Sequence, residues 1–432
     1  MTTTDVPVGS RTRRATIASF VGTAIEWYDF YIYGTASALV FARLFFPEVS
    51  PAAGTMASFA AFWVGFLARP LGGIVFGHIG DRLGRKQTLV VTLLMMGVAT
   101  TGIGLLPTYA AIGLAAPLLL VALRFVQGVA VGGEWGGAVL MATESAPKKR
   151  RGISGMWVQQ GSPAGATLAT LVFMVVGYLP DEAFFSWGWR VPFLLSAVLV
   201  VVGLVIRVKV EESTDFAETR RQAGVVKAPL VEVLRSSWGL VLLAIGASAI
   251  GISAAYFTNT FVLSWTTTEL QVPRQTMIYV LLAVSVLQFL WQPAAALIAQ
   301  RVGTVRLMAG ALIGNIVAVV PMFLLIMTAQ PALITAGLAL GIVTGSAYYA
   351  MLAGFLAQVF PANVRYTGIS VAYQFCGSVI GGSTPLVAQY LLTSSDGSPW
   401  AVAGYYVTLL LLTVACVLVL ARRLAARRAS GA

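Results

Sequence analysis

Charge is scarce in this sequence. Of its 432 residues 10% are Asp, Glu, Lys or Arg, against roughly 25% in soluble globular chains, and that shortage excludes a water-soluble enzyme. Histidine occurs once and cysteine twice. Cys376 and Cys416 both stand in apolar runs, so neither the spacing of a structural zinc site nor a disulfide framework is present. A Gly-Lys-Ser/Thr phosphate loop is missing as well, which removes ATP as the energy source. Metal, redox and other cofactor chemistry are not indicated.

What the chain has in abundance is apolar length: 58% of its residues are hydrophobic and the mean hydropathy is +0.84. At about 20 apolar residues per bilayer crossing, twelve crossings take on the order of 240 residues and leave short loops, two tails and one longer connector. Apolar runs between charged or Pro/Gly-rich breaks predict helices over 16–42, 55–78, 87–106, 117–141, 154–178, 189–208, 238–262, 276–298, 306–328, 332–357, 366–392 and 402–421. The first run follows Arg11, Arg13 and Arg14 but holds Glu26 and Asp29 and no small-residue cleavage site, so it is expected to be a permanent span rather than a removable signal.

The net charge of +12 invites a nucleic-acid reading, and the positions of the basic residues answer it. With the N-terminus inside, 23 of the 28 Lys and Arg residues fall on inner segments, while the outer loops hold Arg43 and Arg274. Under the positive-inside rule this asymmetry orients the chain with both tails cytoplasmic, and the excess charge needs no nucleic acid. The longest inner segment, 209–237, mixes Glu211, Glu212, Asp215 and Glu218 with Arg220, Arg221 and Lys227. It reads as a solvated linker between a six-span unit over 1–208 and another over 238–432.

An internal repeat supports that division. Asp81-Arg82-Leu83-Gly84 after the second span recurs as Gln300-Arg301-Val302-Gly303 after the eighth. Glu144-x-x-Pro147 with Arg151 recurs as Gln358-x-x-Pro361 with Arg365. In both echoes a Gln replaces the acid of the first half. Duplicated six-helix halves are a form that transporters use.

The loop Gly77-His78-Ile79-Gly80-Asp81-Arg82-Leu83-Gly84-Arg85-Lys86 resembles the signature of the major facilitator superfamily, and the Glu144-to-Arg151 spacing resembles its inner charge relay. Glu26-Trp27-Tyr28-Asp29-Phe30, Ala68-Arg69-Pro70-Leu71-Gly72-Gly73, Arg124-Phe125-Val126-Gln127-Gly128, Gly132-Gly133-Glu134-Trp135-Gly136-Gly137 and Trp187-Gly188-Trp189-Arg190-Val191-Pro192-Phe193 are similar to the metabolite:proton symporter family, which includes carriers of shikimate, 2-oxoglutarate, citrate and proline or betaine. The likeness runs along nearly the whole chain. It implies an all-α polytopic membrane protein with twelve transmembrane helices in two pseudo-symmetric six-helix bundles, a bacterial inner-membrane location and a monomeric functional unit. The intact cluster of Gly77, Asp81, Arg82, Gly84, Arg85, Lys86, Glu144 and Arg151 is expected to latch the inner side, and its counterpart around Arg365 to hold less tightly.

An ionisable side chain at the bilayer centre costs at least about 2.5–3.5 kcal/mol on insertion scales, so each is expected to face a cavity or a partner. The acids inside spans are Glu26, Asp29 and Glu134. Glu26 and Asp29 are three apart on one helix and share a face, where each raises the other's affinity for a proton; a purely structural ion pair is the competing role. Glu134 stands among glycines, where close packing competes with transport. Arg124, with Gln127 one turn on, is suited to clamp a carboxylate bidentately or to serve as counter-ion to Glu26 or Asp29. Arg69, before Pro70, reads as a gating residue, as a second clamp beside Arg124, or as a structural partner of the inner loop. Further candidates at that depth are Tyr28, Tyr31, Trp135, Gln159, Gln160, Tyr256, Asn259, Gln288, Tyr348, Tyr349, Tyr373 and Gln374. Gln160 and Gln374 each follow a repeat arginine by nine residues, at matching levels of the fifth and eleventh helices. His78 lies in the inner loop, away from coupling, and Trp187, Trp189 and Trp400 read as interfacial anchors.

These features predict a carrier that rocks two bundles around a midplane site and couples proton entry to uptake of a small metabolite, with an organic acid of shikimate-like, aromatic or dicarboxylic type as cargo. Proton-coupled export of a drug or endogenous metabolite shares the same residues, and uptake of a betaine or proline osmolyte shares the same family. A non-transporting membrane receptor has no need of Glu26, Asp29 and Arg124 at lipid depth.

Overall fold

Hydrocarbon offers no partner to a backbone N–H or C=O, so apolar runs of this length close their own hydrogen bonds as helices. A computed structural model describes residues 8–83, 85–132, 156–209, 233, 235, 237–361 and 365–429, and the regular structure among them is helical throughout. Helix α1 is Val8–Ala36, continued by a π-helical turn Ser37–Phe41 and by Ala42–Phe45. Helix α2 comes in two pieces, Pro51–Leu67 and Arg69–Leu83. Then follow α3 (Arg85–Leu105), α4 (Ala115–Val131), α5 (Gly161–Gly177) and α6 (Val191–Lys209). The second half begins with α7, Trp238–Tyr256 with a π turn Phe257–Val262 and Leu263–Thr268. It continues with α8 (Arg274–Val302), α9 (Thr304–Met327) and α10 (Pro331–Val359). Helix α11 is Arg365–Cys376, a π turn Gly377–Gly381 and Thr384–Ser394, and α12 is Trp400–Ala429.

All twelve expected spans have a helix. Among the described residues eight helical stretches are long and apolar enough to cross a membrane, and Val90–Leu105 and Ala115–Val131 are shorter apolar ones. The ends move: α1 reaches Phe45 and α12 runs on to Ala429, carrying Arg422, Arg423 and Arg427, whose charges suit a helix C-terminus. The connector 209–237 and the second part of the fourth span lie almost wholly outside the described residues.

Two prolines prepare the contacts between the halves. Pro70 has no N–H to give Phe66 O one turn back, α2 breaks at Ala68, and Phe66 O accepts from Ser378 Oγ of α11 at 2.6 Å instead. Pro293 sits inside α8, and the carbonyl it leaves unpaired, Phe289 O, accepts from Gln160 Nε2 of α5 at 2.5 Å. So α2 meets α11, and α8 meets α5, at freed backbone acceptors. Within the first half, α2 and α4 approach so closely that a methyl group at Gly128 would lie 1.9 Å from Gly65 O, the small-residue contact by which helices associate in lipid.

Candidate functional site

Among the described residues the buried ions are Glu26, Asp29, Arg69 and Arg124. The Asp29 carboxylate accepts from Ser196 Oγ of α6 at 2.6 Å and from Thr100 Oγ1 of α3 at 3.0 Å. Thr100 Oγ1 in turn accepts from Gln127 Nε2 at 2.7 Å, and Gln127 Oε1 accepts from Arg124 Nη1. The route from Asp29 to Arg124 thus runs through two uncharged side chains, so each ion is solvated by protein dipoles within reach of the other's field. Arg124 also donates from Nε to Phe62 O at 3.3 Å, and its guanidinium lies over the rings of Tyr33 at 4.2 Å and Phe30 at 4.4 Å. Gly65 makes this seat: a Cβ there would stand 2.5 Å from Arg124 Nε.

Glu26 and Asp29 do not work on the same neighbours. Three helical steps leave their side chains roughly 60° apart. Asp29 turns into the first half, whereas Glu26 lies within the field felt by the Tyr256 and Tyr349 hydroxyls of the second half. Around that boundary an aromatic and amide cluster assembles. Trp27 stacks on Tyr31 and on Tyr256, with ring centroids 5.5 and 5.8 Å apart. Phe66 meets Tyr256 at 5.0 Å. Tyr31 OH pairs with Ser162 Oγ at 2.9 Å, Tyr349 OH with Tyr373 OH at 3.1 Å, and Gln159 Nε2 donates to Tyr349 O at 3.3 Å. Gln374 Nε2 of α11 donates to Gly132 O of the first half at 2.9 Å. Gln160 and Gln374, which the repeat puts at matching levels, therefore each cross to the opposite half.

Several polar atoms in this region are buried without a hydrogen-bond partner: Tyr256 OH, Gln159 Oε1, Gln160 Oε1, Gln374 Oε1, Arg69 Nε and Arg124 Nη2. A buried polar group left unpaired costs about 1–3 kcal/mol; others among the described residues, such as both side-chain polar atoms of Gln292 and Asn315 Oδ1, are on α8 and α9.

Other candidates stand elsewhere. Tyr28 OH donates to Pro192 O at 2.7 Å inside the first half, and Tyr348 OH donates to Ala247 O inside the second; both hydroxyls tie helices of one half together and stand apart from the boundary cluster. Asn259, in the α7 π turn, returns its amide to Ala255 O at 2.9 Å, and Gln288 is half-buried on α8. Arg365 starts α11 with Nε on Phe360 O at 3.4 Å. Trp189 is fully buried among Phe41, Phe45 and Phe193 and is core rather than the expected interfacial anchor, because the 3-10 turn Gly188–Arg190 folds it under the bundle; Trp187 and Trp400 are exposed. Glu134, Trp135, Glu144, Arg151 and Gly84 lie outside the described residues. Gly77, His78, Asp81, Arg82, Arg85 and Lys86 have helical backbone, and their side chains lie outside the description too.

Sequence reasoning missed Thr100, Ser196, Ser162 and Ser378; of the roles it left open for Arg69, the position over Phe30 and Phe66 is the one a second clamp needs. The signal was a lone hydroxyl inside an apolar run, but such a hydroxyl also satisfies itself on its own helix, as Thr100 does on Met96 O at 2.9 Å.

Comparison with known proteins bears on family and fold. The family profile described as sugar (and other) transporter matches residues 14–228. The chain is 42% identical to the shikimate transporter of Escherichia coli K12 over 402 residues, 92% of this chain and 91% of that one. It is 33% identical to the glycine betaine/proline/ectoine/pipecolic acid transporter of Dickeya dadantii, over 89% of this chain and 79% of the relative. A crystal structure of a D-xylose-proton symporter superimposes with a TM-score of 0.72 at 15% identity, covering 94% of this chain and 96% of the other.

Proposed function

Because the chain belongs to the major facilitator superfamily, among its metabolite transporters, we propose that it is a secondary carrier that takes up a small organic acid together with a proton by alternating access. The observation that carries the reading is the set of four buried ions. Glu26 and Asp29 balance Arg69 and Arg124, so the described set is neutral when both acids are ionised. A proton on one acid leaves a single positive charge, which one carboxylate cancels, and the loaded site is again neutral and free to reorient past hydrocarbon. A zwitterion such as a betaine leaves that charge standing, so the balance favours a monocarboxylate, and the relative that carries shikimate supports the same class.

Asp29 is the proton site in this scheme. Its hydroxyl partners and the Gln127 bridge to Arg124 hold either protonation state with little rearrangement. The two halves, 1–208 and 238–432 about the connector 209–237, rock against each other, with both termini on the cytoplasmic side of a bacterial plasma membrane, a placement that the distribution of basic residues supports. A single chain is the functional unit.

The test is transport by the full chain reconstituted in liposomes. Shikimate, a dicarboxylate and glycine betaine are offered under an imposed proton gradient, with an internal pH indicator. Uptake of the monocarboxylate with acidification of the lumen is expected. Asp29→Asn should abolish gradient-driven accumulation while exchange of labelled for unlabelled substrate continues. Unaltered accumulation in Asp29→Asn would remove Asp29 from the coupling step, and uptake without proton movement would remove the symport itself.

A further inference from the structure

The two buried arginines share the rings of Phe30 and Phe66 and differ in their other partners. Arg124 is held inside the first half by Phe62 O and Gln127. Arg69 opens the second piece of α2, at the break that Pro70 imposes, and its guanidinium lies over Phe30 at 4.1 Å and Phe66 at 4.4 Å. Rings on one side leave the in-plane N–H edge to find another acceptor, and Arg69 Nε has none although the residue is 5% exposed. The wall in front of it belongs to the other half: a methyl group at Gly377, in the α11 π turn, would lie 3.9 Å from Arg69 Nη1. From the second half, Tyr256 packs its ring on Phe66 at 5.0 Å, and Tyr349 OH pairs with Tyr373 OH at 3.1 Å.

Three unpartnered acceptors complete the surroundings. Tyr256 OH has no hydrogen bond, and Gln159 and Gln374 each anchor their amide nitrogen on a backbone carbonyl and leave Oε1 unpaired. An arginine with an unpaired Nε, three unpaired oxygens on neighbouring helices and the faces of Phe66 and Tyr256 are the groups that a ring with one carboxylate and several hydroxyl groups would use.

We infer that Arg69, rather than Arg124, anchors the carboxylate of the cargo, and that Tyr256, Gln159 and Gln374 select hydroxyl groups on a small ring beside it. This rests on the proposal that the chain carries an organic acid, and it divides the labour between the two arginines: Arg124 answers to Asp29, Arg69 to the passenger. Because Arg69 belongs to one half and Tyr256, Gly377 and Gln374 to the other, cargo held by them would bridge the halves.

Binding of shikimate and of its methyl ester to the purified full chain, measured by titration calorimetry, tests it, since the two share the ring and hydroxyls and differ in the charge. The wild-type chain should prefer the acid by at least about tenfold, the range of a bidentate charge-assisted pair. Arg69→Gln should bind acid and ester alike. Arg69→Lys keeps the charge without the planar fork and should fall between. Arg124→Gln takes the same charge from the buried set but leaves the guanidinium of Arg69 in place, so it should keep a reduced preference for the acid, larger than that of Arg69→Gln. Tyr256→Phe should weaken acid and ester by the same factor. A full acid preference in Arg69→Gln overturns the assignment, and so does unchanged affinity in Arg69→Lys, a variant that keeps the cation in the fold. If the wild-type chain binds neither compound, the organic-acid proposal fails and this inference with it. If it binds the acid but Arg69→Gln keeps the preference, the inference alone fails.

Discussion

At the scale of single residues, what separates a site from its scaffold is where each polar atom has already spent its bonds. Tyr28 lies one residue from Asp29 and two from Glu26, yet its hydroxyl is committed to Pro192 O. Removing it should therefore lower stability and leave transport alone. We expect Tyr28→Phe to cost about 1 kcal/mol of stability, the net worth of a buried hydrogen bond, read as an earlier thermal transition in detergent with an unchanged KM for uptake; a raised KM would return Tyr28 to the site. Tyr256, equally buried, has no such bond. The sequence reveals the ions themselves, because hydrocarbon makes Glu26, Asp29, Arg69 and Arg124 conspicuous. It is silent on their partners. Nothing in the spacing pairs Asp29 with Ser196, 167 residues on, or separates Glu26 from Asp29 by the turn that aims one at the second half.

At the scale of helices, the hydropathy pattern alone yields twelve spans, since a lipid-depth run has no fold open to it but a helix or a closed barrel. The pattern does not carry the π turns at Ser37–Phe41, Phe257–Val262 and Gly377–Gly381, which depend on what the backbone meets across the bundle. Nor does it say what Pro70 and Pro293 are for. Each withholds an N–H from the carbonyl one turn back, and that carbonyl is the acceptor for a side chain of the other half, Ser378 in one case and Gln160 in the other. The kinked helix and the contact between halves are one device. If so, Pro293→Ala and Gln160→Leu should not add. The alanine N–H reclaims Phe289 O within α8 and takes the acceptor from Gln160, so each single variant loses the same bond. A double-mutant cycle on thermal stability should give a coupling of about 0.5–1 kcal/mol, within the range for residues in direct contact. Strict additivity would mean that Pro293 shapes α8 for some other reason.

At the scale of the whole molecule, the question is which contacts must open for the halves to rock. One end of the bundle is closed by an ordered set. Tyr178 OH of the first half meets Tyr279 OH of the second at 2.5 Å, Gln275 Nε2 donates to Met174 O at 3.2 Å, and Arg274 pairs with Asp181 at 3.2 Å while lying 3.8 Å over the Phe184 ring. These contacts sit at the ends of α5 and α8, the helices joined deeper down through Thr167 Oγ1 and Ser285 Oγ at 3.2 Å and through Gln160 and Phe289. The pair forms a zipper that runs from the rim to the level of the buried ions. Exposed polar contacts of this kind contribute little stability each, which suits a seam that parts in every cycle of the proposed rocking. A tether across it should therefore stop the cycle without harming the fold. With Tyr178→Cys and Tyr279→Cys in one chain, a short bis-maleimide should arrest uptake. A linker that carries its own disulfide should arrest it reversibly, with activity returning on reduction, and either single-cysteine variant should be indifferent to both reagents. Cys376 and Cys416 are buried and do not compete for the label. Tethered protein should still bind shikimate in detergent, because the tether joins Tyr178 and Tyr279 and touches none of the residues assigned to the cargo. Undiminished uptake with the tether in place would mean that α5 and α8 move as a unit and that the halves part along another seam.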